Sequence, residues 1–298
     1  MLNSKYLAQL TVVICTFNRL NHLKLILNSL NGSEVGKSFK LLIVDNSDND
    51  LTQRFYNHNR SHFTHPIIFA RIAGNGVSKA RNYAIKNVDT PYILFIDDDC
   101  LLLHDTMNQV VDYLDMNKPD ALTTEIIGVL PFNRAHCIES QEFVNVDDVH
   151  GKPHYISSTF LCVKSKVLRD FGGFDENYGP KGSHHGYGDD TKLELKLKQA
   201  NIQVDKIKNA PVLHFSHGLN GKIWIITRMN LAYYQLKLRR EGFDIALPPM
   251  MLFTRGVYYF FRTSARAFFR FSFDCRTKFS ILREVGVMLG CIKYYLRR

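Results

Sequence analysis

The stretch YILFIDDDC, residues 92–100, runs from an apolar segment fit for a buried strand straight into three consecutive carboxylates. Asp97, Asp98 and Asp99 repel one another, and crowding them costs free energy unless a cation or a proton compensates the charge. A positive partner is therefore expected at the end of this strand.

The same pattern recurs upstream. LTVVIC (Leu10 to Cys15) is a short β-branched run followed by TFNR, after which Leu23 to Leu30 carries apolar residues at helical spacing. KLLIVDNSDND (Lys40 to Asp50) is a second apolar strand ending in an acid and turn formers; SKARNYAIKN reads as a helix and PYILFIDDD as a third strand. Strands alternating with helices, each strand continuously apolar, predict an α/β fold whose central sheet is mostly parallel and covered by helices on both faces. In such sheets ligands gather beyond the carboxyl ends of the strands, so Thr16 to Arg19, Asp45 and Asp97 to Asp99 are expected to converge on one crevice.

Downstream, YISSTFLCVKSKVL is expected to form a strand and then a helix, GPKGSHHGYG (Gly179 to Gly188) a glycine-rich loop, DDTKLELKLKQAN a polar helix, and APVLHFSHG a short strand with histidines at its end. There is no internal repeat and no low-complexity segment. Beyond Gly221 the chain shifts to helices rich in Arg, Phe and Tyr, which places a domain boundary near that point.

With 298 residues, 45% apolar and 12% aromatic, the chain can build a sizeable core. Met1 to Gln9 is mixed in polarity and the apolar run after it breaks at Thr16, Asn18 and Arg19, so no secretory leader is expected. No apolar stretch approaches the ~20 residues needed to span a bilayer. The six cysteines are scattered without paired spacing, which predicts reduced thiols in a cytoplasmic protein rather than a zinc site or a disulfide framework. GSEVGKS (Gly32 to Ser38) imitates a phosphate-binding loop but is one residue short between its glycines and follows no strand. Asn31 opens an NGS sequon that carries no weight without a secretory signal.

Asp97 and Asp99 flank a single residue, so both carboxylates can reach one hard cation while the strand holds them. Oxygen ligation suits Mg2+ or Mn2+, and such an ion keeps positions open for phosphate oxygens, which points toward a diphosphate substrate. Taken alone, three aspartates after a strand fit a solvated acidic loop or a helix N-terminus equally well.

LTVVICTFNR, LLIVDNSDND, GNGVSKARNYAI, YILFIDDD, GGFDENY and GYGDDTKLELKL stand in the order found in inverting family 2 glycosyltransferases of the GT-A fold, which the chain resembles from about Leu10 to Gly218. The resemblance implies a GT-A architecture, Rossmann-like with a mostly parallel central sheet flanked by helices, and a C-terminal helical extension. Residues 1–220 would be the catalytic domain, with a nucleotide-sugar half at 1–115 and an acceptor and base half at 116–220, followed by a basic, aromatic helical region at 221–298. The resemblance further implies that Asp97-Asp98-Asp99 is a D-x-D element, with Asp97 and Asp99 binding Mn2+ or Mg2+ against the diphosphate of a UDP-, dTDP- or GDP-sugar. Thr16, Phe17, Asn18 and Arg19 would line the nucleotide pocket, Asp45 would contact the base, and Asn75, Gly76, Arg81 and Asp98 would complete the donor site. Gly188-Asp189-Asp190 maps onto the family's Gly-Glu-Asp, making Asp190 the candidate general base with Asp189 beside it. Neighbouring negative charge discourages ionisation and raises a carboxylate's pKa toward the working pH, which suits that task; the alternative is an acidic pair that merely complements a helix N-terminus.

Three positions depart from the usual pattern: Asp189 where Glu is commoner, Lys192 where an acid is common, and Lys196 where Arg is common. Lys196 is expected to pair with an acid, though without a bidentate fork. His214 sits where the family often completes the metal shell, His217 is three residues on, and either could serve. His184 and His185 lie in the glycine-rich loop, which could close over a bound donor.

The formal charge of +10 is uneven, since residues 251–298 carry +8 of it. There Arg262, Arg266 and Arg270 recur every four residues beside a stripe of Tyr258, Phe261, Ala265 and Phe268. That suits either an interfacial helix on anionic lipid, with a glycan or lipid-linked glycan as acceptor, or a helix packed on the catalytic domain with solvated arginines. Nucleic-acid binding is not expected, because no recognised module accompanies the basic residues. The rivals to sugar transfer are a nucleotidyltransferase, which would release pyrophosphate, and a degenerate membrane-associated nucleotide-sugar binding protein.

Overall fold

A computed structural model describes residues 9–31, 39–63, 65–103, 105–129, 144–145, 157–181, 186–215, 221–243, 249–270 and 275–297. The phosphate-loop imitation at 32–38 and His184, His185 and His217 lie outside these residues.

The first half alternates strands and helices: β1 (Leu10–Thr16), α1 (Leu20–Asn31), β2 (Phe39–Asp45), α2 (Leu51–Asn59), β3 (Ile67–Arg71), α3 (Val77–Asn87) and β4 (Tyr92–Asp97), of which α2 and β3 are additions to the expected elements. Then come β5 (Cys100–Leu102), α4 (Thr106–Asn117), β6 (Ala121–Val129), β7 (Val144–Asn145), β8 (Phe160–Lys164), α5 (Ser165–Asp170), α6 (Asp189–Gln199) and β9 (Val204–Phe215). One sheet runs in the order β3-β2-β1-β4-β8-β6-β9-β5, with β7 added beside β6. Parallel pairing holds from β3 to β4 and between β6 and β9, whereas β8 runs antiparallel to both β4 and β6, and β5 antiparallel to β9. The sheet is therefore mixed. Continuous apolar runs report burial on both faces but say nothing of strand direction, so the reversal at β8 has no counterpart in the local sequence.

Alternate residues of each central strand enter different cores. Val12 and Ile14 join Leu23, Ile26, Leu27 and Leu30 of α1 on one face, while Val13 and Phe95 meet Ala80, Ala84 and Ile85 of α3 and Leu193 and Leu197 of α6 on the other. This two-sided cover explains why the strands lack polar alternation.

GGFDENY docks onto α3 through Asn82, whose Nδ2 donates to the Phe174 carbonyl at 2.8 Å and whose Oδ1 accepts from the Phe174 N–H at 2.8 Å. Gly173 makes this approach possible: its φ is +70°, and an added Cβ would fall 2.4 Å from Asn82 Oδ1. Gly173→Ala is expected to destabilise the fold by roughly 1–3 kcal/mol through strain at that backbone conformation and the clash. Urea unfolding of the variant, giving a midpoint equal to that of the parent chain, would contradict this.

The described chain divides into two compact units, the first holding β1 to α5 with α6 and β9, the second holding Tyr178–Lys181, Gly186–Gly188 and three C-terminal helices. Those helices are α7 (Gly221–Arg240), α8 (Pro249–Arg270) and α9 (Cys275–Leu296). Gly286 and Gly290 of α9 face α7, where added Cβ atoms would lie 2.8 Å from the Ile225 carbonyl oxygen and 2.5 Å from that of Met229. Their small size permits a close helix crossing, around which Leu236, Cys291 and Tyr294 form a local core. No described helix is long and apolar enough to cross a membrane. Among the described cysteines, Cys15, Cys100, Cys162 and Cys291 are free thiols.

Candidate active site

Strand register assembles the site. Thr16 pairs with Asp45, Cys15 with Asp97, and Cys100 with His214, so the polar ends of β1, β2, β4 and β9 reach one level. Asn18 adopts a φ of +56° and ties the loop after β1 to the loop after β2. Its Nδ2 donates to Asp48 at 3.2 Å, its Oδ1 accepts from Asn49 Nδ2 at 2.9 Å, and its backbone N–H donates to Ser47 Oγ at 2.8 Å. Asn46 Nδ2 in turn donates to the carbonyl of Gly76 at 3.3 Å, at the start of α3. Phe17 is half-buried and Asn75 exposed.

Asp45 is fully buried. Its Oδ1 accepts the Ser47 N–H at 3.0 Å, while its Oδ2 has no hydrogen-bond partner among the described residues. A buried carboxylate oxygen without a donor is costly, and a ligand N–H would relieve it.

The three crowded aspartates are compensated by the chain itself. Arg19 Nη1 bridges Asp98 Oδ1 at 3.1 Å and Asp99 Oδ2 at 3.0 Å, and Thr16 Oγ1 donates to Asp98 Oδ2 at 2.7 Å. Burial pushes the Asp98 carboxyl up to about 6 even with Arg19 beside it. Asp99 Oδ1 meets His214 Nε2 at 3.1 Å. Loss of water, the largest single effect, lowers the proton affinity of that imidazole, but its hydrogen bond to Asp99 and the negative charges of Asp99 and Asp97 together outweigh this and raise its pKa above the ordinary histidine value. Asp97, Asp99 and His214 each bring a ligand atom to within 4.8 Å of the others. Two carboxylates and one imidazole form a donor set that fits a Mn2+ or Mg2+ ion.

Arg81, buried in α3, links this cluster to the start of α6. Its Nη1 donates to Asp189 Oδ2 at 2.7 Å and its Nη2 to Asp97 Oδ1 at 3.0 Å, with the guanidinium 5.2 Å from the Phe174 ring centroid. Burial opposes the charge on Arg81, but Asp189 and Asp97 overcompensate and hold its pKa above the usual value. Asp189 is thereby committed to an ion pair. Its neighbour Asp190 accepts hydrogen bonds from the backbone N–H groups of Thr191, at 2.9 Å, and Ser158. Burial first and Asp189 second push the Asp190 carboxyl up to about 7, against the pull of Arg81. A carboxylate that changes protonation near neutrality, beside a permanently paired acid, is equipped to take a proton.

The expectation for Lys196 needs revision. Lys196 donates to the Phe171 carbonyl at 3.2 Å rather than pairing with an acid, and Lys192 pairs with Asp175 at 2.6 Å. Both lysines are thus absorbed in the packing of α6 against Phe171 and Asp175. The sequence reading also passed over three residues. Thr159 Oγ1 donates to Asp97 Oδ2 at 3.1 Å, Ser158 supports Asp190, and Phe174 underlies Arg81. The polar triplet Ser157-Ser158-Thr159 just before an apolar strand was the available signal, but its place depends on β8 running antiparallel to β4, which sets Phe160 opposite Ile96.

The sequence profile described as glycosyl transferase family 2 matches residues 11–135. The uncharacterised glycosyltransferase YfnE of Bacillus subtilis is 32% identical over 272 residues, covering 75% of this chain and 69% of that protein. The minor teichoic acid biosynthesis protein GgaB of the same organism is 26% identical over 208 residues, covering 67% of this chain. This chain spans only 22% of the length of GgaB. Among solved structures, the mannosyltransferase PcManGT of Pyrobaculum calidifontis, in complex with GDP-Man and Mn2+, superposes with a TM-score of 0.69 at 14% identity, covering 99% of this chain and 89% of that one. That likeness bears out the expected GT-A architecture: a mixed sheet with flanking helices, followed by C-terminal helices.

Proposed function

The chain belongs to glycosyl transferase family 2, and from that premise we propose that it moves a sugar, with inversion, from a nucleoside-diphosphate donor to a hydroxyl of a glycan or lipid-linked glycan. The catalytic part is residues 1–220, and 221–298 form a helical extension. The observation that carries this reading is the ion pairing of the buried Arg81 with both Asp97 and Asp189, which sets Asp190, the next residue after Asp189, beside the cluster of Asp97, Asp99 and His214. Asp190 takes the proton of the acceptor hydroxyl as its oxygen bonds the anomeric carbon. The bond from that carbon to the phosphate oxygen breaks, and its electron pair leaves with the nucleoside diphosphate. Attack opposite the departing group inverts the centre. Asp97, Asp99 and His214 would hold a Mn2+ or Mg2+ ion, which when bound would supply positive charge against the departing diphosphate. Asp45 Oδ2 offers its vacant acceptor to an imino N–H of a uracil, thymine or guanine base.

A donor screen with UDP-, dTDP- and GDP-sugars, detecting free nucleoside diphosphate, tests the proposal. Release of pyrophosphate instead would assign a nucleotidyltransferase. A nucleotide panel that raises the melting temperature equally with and without Mn2+ would leave a metal-independent binding protein. GgaB's part in teichoic acid biosynthesis makes a cell-surface polymer precursor the first acceptor to try.

The C-terminal helices support peripheral attachment at the inner face of a membrane. In α8, Gly256 faces α9, where an added Cβ would lie 3.1 Å from Met288 Cγ. The opposite face exposes Met250, Met251, Tyr258 and Phe261 together with Arg255 and Arg262, and no acid. Apolar and aromatic groups framed by arginines match the requirements of an anionic lipid surface. The side chains of Arg266, Phe268 and Arg270 lie outside the described residues. The full chain is expected to cosediment with phosphatidylglycerol vesicles and less with phosphatidylcholine ones, and Tyr258→Ser with Phe261→Ser is expected to cut that binding about tenfold. Equal partition of the parent chain and the double variant would remove α8 from the surface.

A further inference from the structure

The two guanidinium groups that neutralise the acidic cluster are held very differently. Arg81 has a side chain only 5% exposed and is committed on both sides, to Asp97 and to Asp189. Arg19 has a side chain 39% exposed and reaches Asp98 and Asp99 through a single nitrogen, Nη1. The backbone just before it is pinned by the hydrogen bonds of Asn18 to Ser47, Asp48 and Asn49. Arg19 can therefore move only through its own side-chain torsions, outward, where solvent already reaches it. One of its two partners, Asp99, also belongs to the set that fits a divalent ion.

We propose that Arg19 is an exchangeable counter-ion: it holds Asp98 and Asp99 when no divalent ion is bound, and transfers its grip to the donor's diphosphate when Asp99 turns to the ion. This rests on the metal-dependent donor site proposed above. A guanidinium and a doubly charged cation drawn to one carboxylate repel each other at close range. Arg19 must then leave Asp99 for an ion to bind, and departure is favourable only when an anion awaits it. A diphosphate is that anion, and a planar guanidinium suits its oxygens. Arg19 thus penalises an ion arriving alone and rewards one arriving with a nucleoside diphosphate. The two ligands become mutually reinforcing, by the same factor in either order of addition.

The test is Mn2+ titration of the full-length chain by calorimetry and by the electron paramagnetic resonance of free Mn2+, with and without UDP or GDP, in the parent, Arg19→Gln and Arg19→Lys. Without nucleotide, Arg19→Gln is expected to bind Mn2+ on the order of tenfold tighter than the parent, and the factor by which UDP or GDP tightens Mn2+ is expected to fall by about the same tenfold, leaving the part that comes from direct attraction between ion and diphosphate. Arg19→Lys, which keeps the charge but loses the planar fork, falls between and carries the test if the glutamine variant does not fold. A purely supporting role for Arg19 would instead weaken Mn2+ binding in every condition, and that result overturns the exchange. So does an affinity or a reinforcement factor equal to the parent's. Absence of Mn2+ binding by every protein, even with UDP and GDP, overturns the exchange together with the metal-dependent donor site, whereas equal Mn2+ binding by all overturns the exchange alone.

Discussion

Asp190→Asn is expected to abolish sugar transfer, lowering kcat on the order of 10³-fold, while the affinity for the nucleoside-diphosphate donor changes less than about twofold. The amide keeps the shape of the side chain and can still accept from the Thr191 and Ser158 N–H groups, but it cannot accept the acceptor's proton. Donor contacts are assigned to other residues, so binding and chemistry should separate cleanly. The parent enzyme's pH profile should carry the same signature. Burial and Asp189 hold the Asp190 carboxyl up to about 7, so it is protonated and inactive below that pH and ionised above it. The rate should accordingly rise tenfold per pH unit on the acid side and level off above about 7. A flat profile between pH 5 and 8, or full transfer by Asp190→Asn, would remove Asp190 from the chemistry.

Arg81→Met should cost about 3–5 kcal/mol of folding stability, a magnitude reserved for breaking a buried ion pair. The variant leaves Asp97 Oδ1 and Asp189 Oδ2 without the group that neutralises them, Asp189 being only 6% exposed. Methionine keeps the aliphatic stem but not the guanidinium head, so the loss combines the missing charge with the space the head filled. Adding Asp189→Asn to Arg81→Met removes one of the two stranded charges and should recover part of the loss, giving a coupling energy well above that of an independent pair. Guanidinium unfolding of the four proteins measures it, and strict additivity would show that the pair contributes no specific interaction. Arg81→Met should also weaken transfer, because Arg81 holds the start of α6, where Asp190 lies, against Asp97 of the cluster proposed to hold the ion.

Three strands of the first half were legible because a strand covered on both faces needs continuous apolar residues, and LTVVIC, KLLIVD and YILFID supply them, whereas β3, partly exposed at the sheet edge, was not read. The reversal at β8 was not, since direction is set by where the chain returns rather than by what it is made of. This one reversal explains the residues that were missed. Ser158 and Thr159 precede β8, and only antiparallel pairing delivers the beginning of that strand to the end of β4. Among the acids, Asp45, Asp97 and Asp99 were placed at strand ends by the local pattern, and Asp190 was singled out only through the family resemblance. The division of labour between Asp189 and Asp190 was hidden, because it depends on Arg81, a residue more than a hundred positions away that claims one of them.

What the sequence determined by itself is therefore the placement of carboxylates at strand ends, the two-sided burial of the strands, and the demand for positive charge beside Asp97, Asp98 and Asp99. Those follow from local composition, because a buried run of aspartates must be compensated whatever surrounds it. Which groups answer that demand was decided only by tertiary structure. Arg19 comes from the loop after β1, Arg81 from α3 and His214 from β9, and sheet register brings them together across long stretches of chain. Coulomb attraction acts through space and is indifferent to sequence distance, so the partners of a charge can be read only once the fold has brought them within reach.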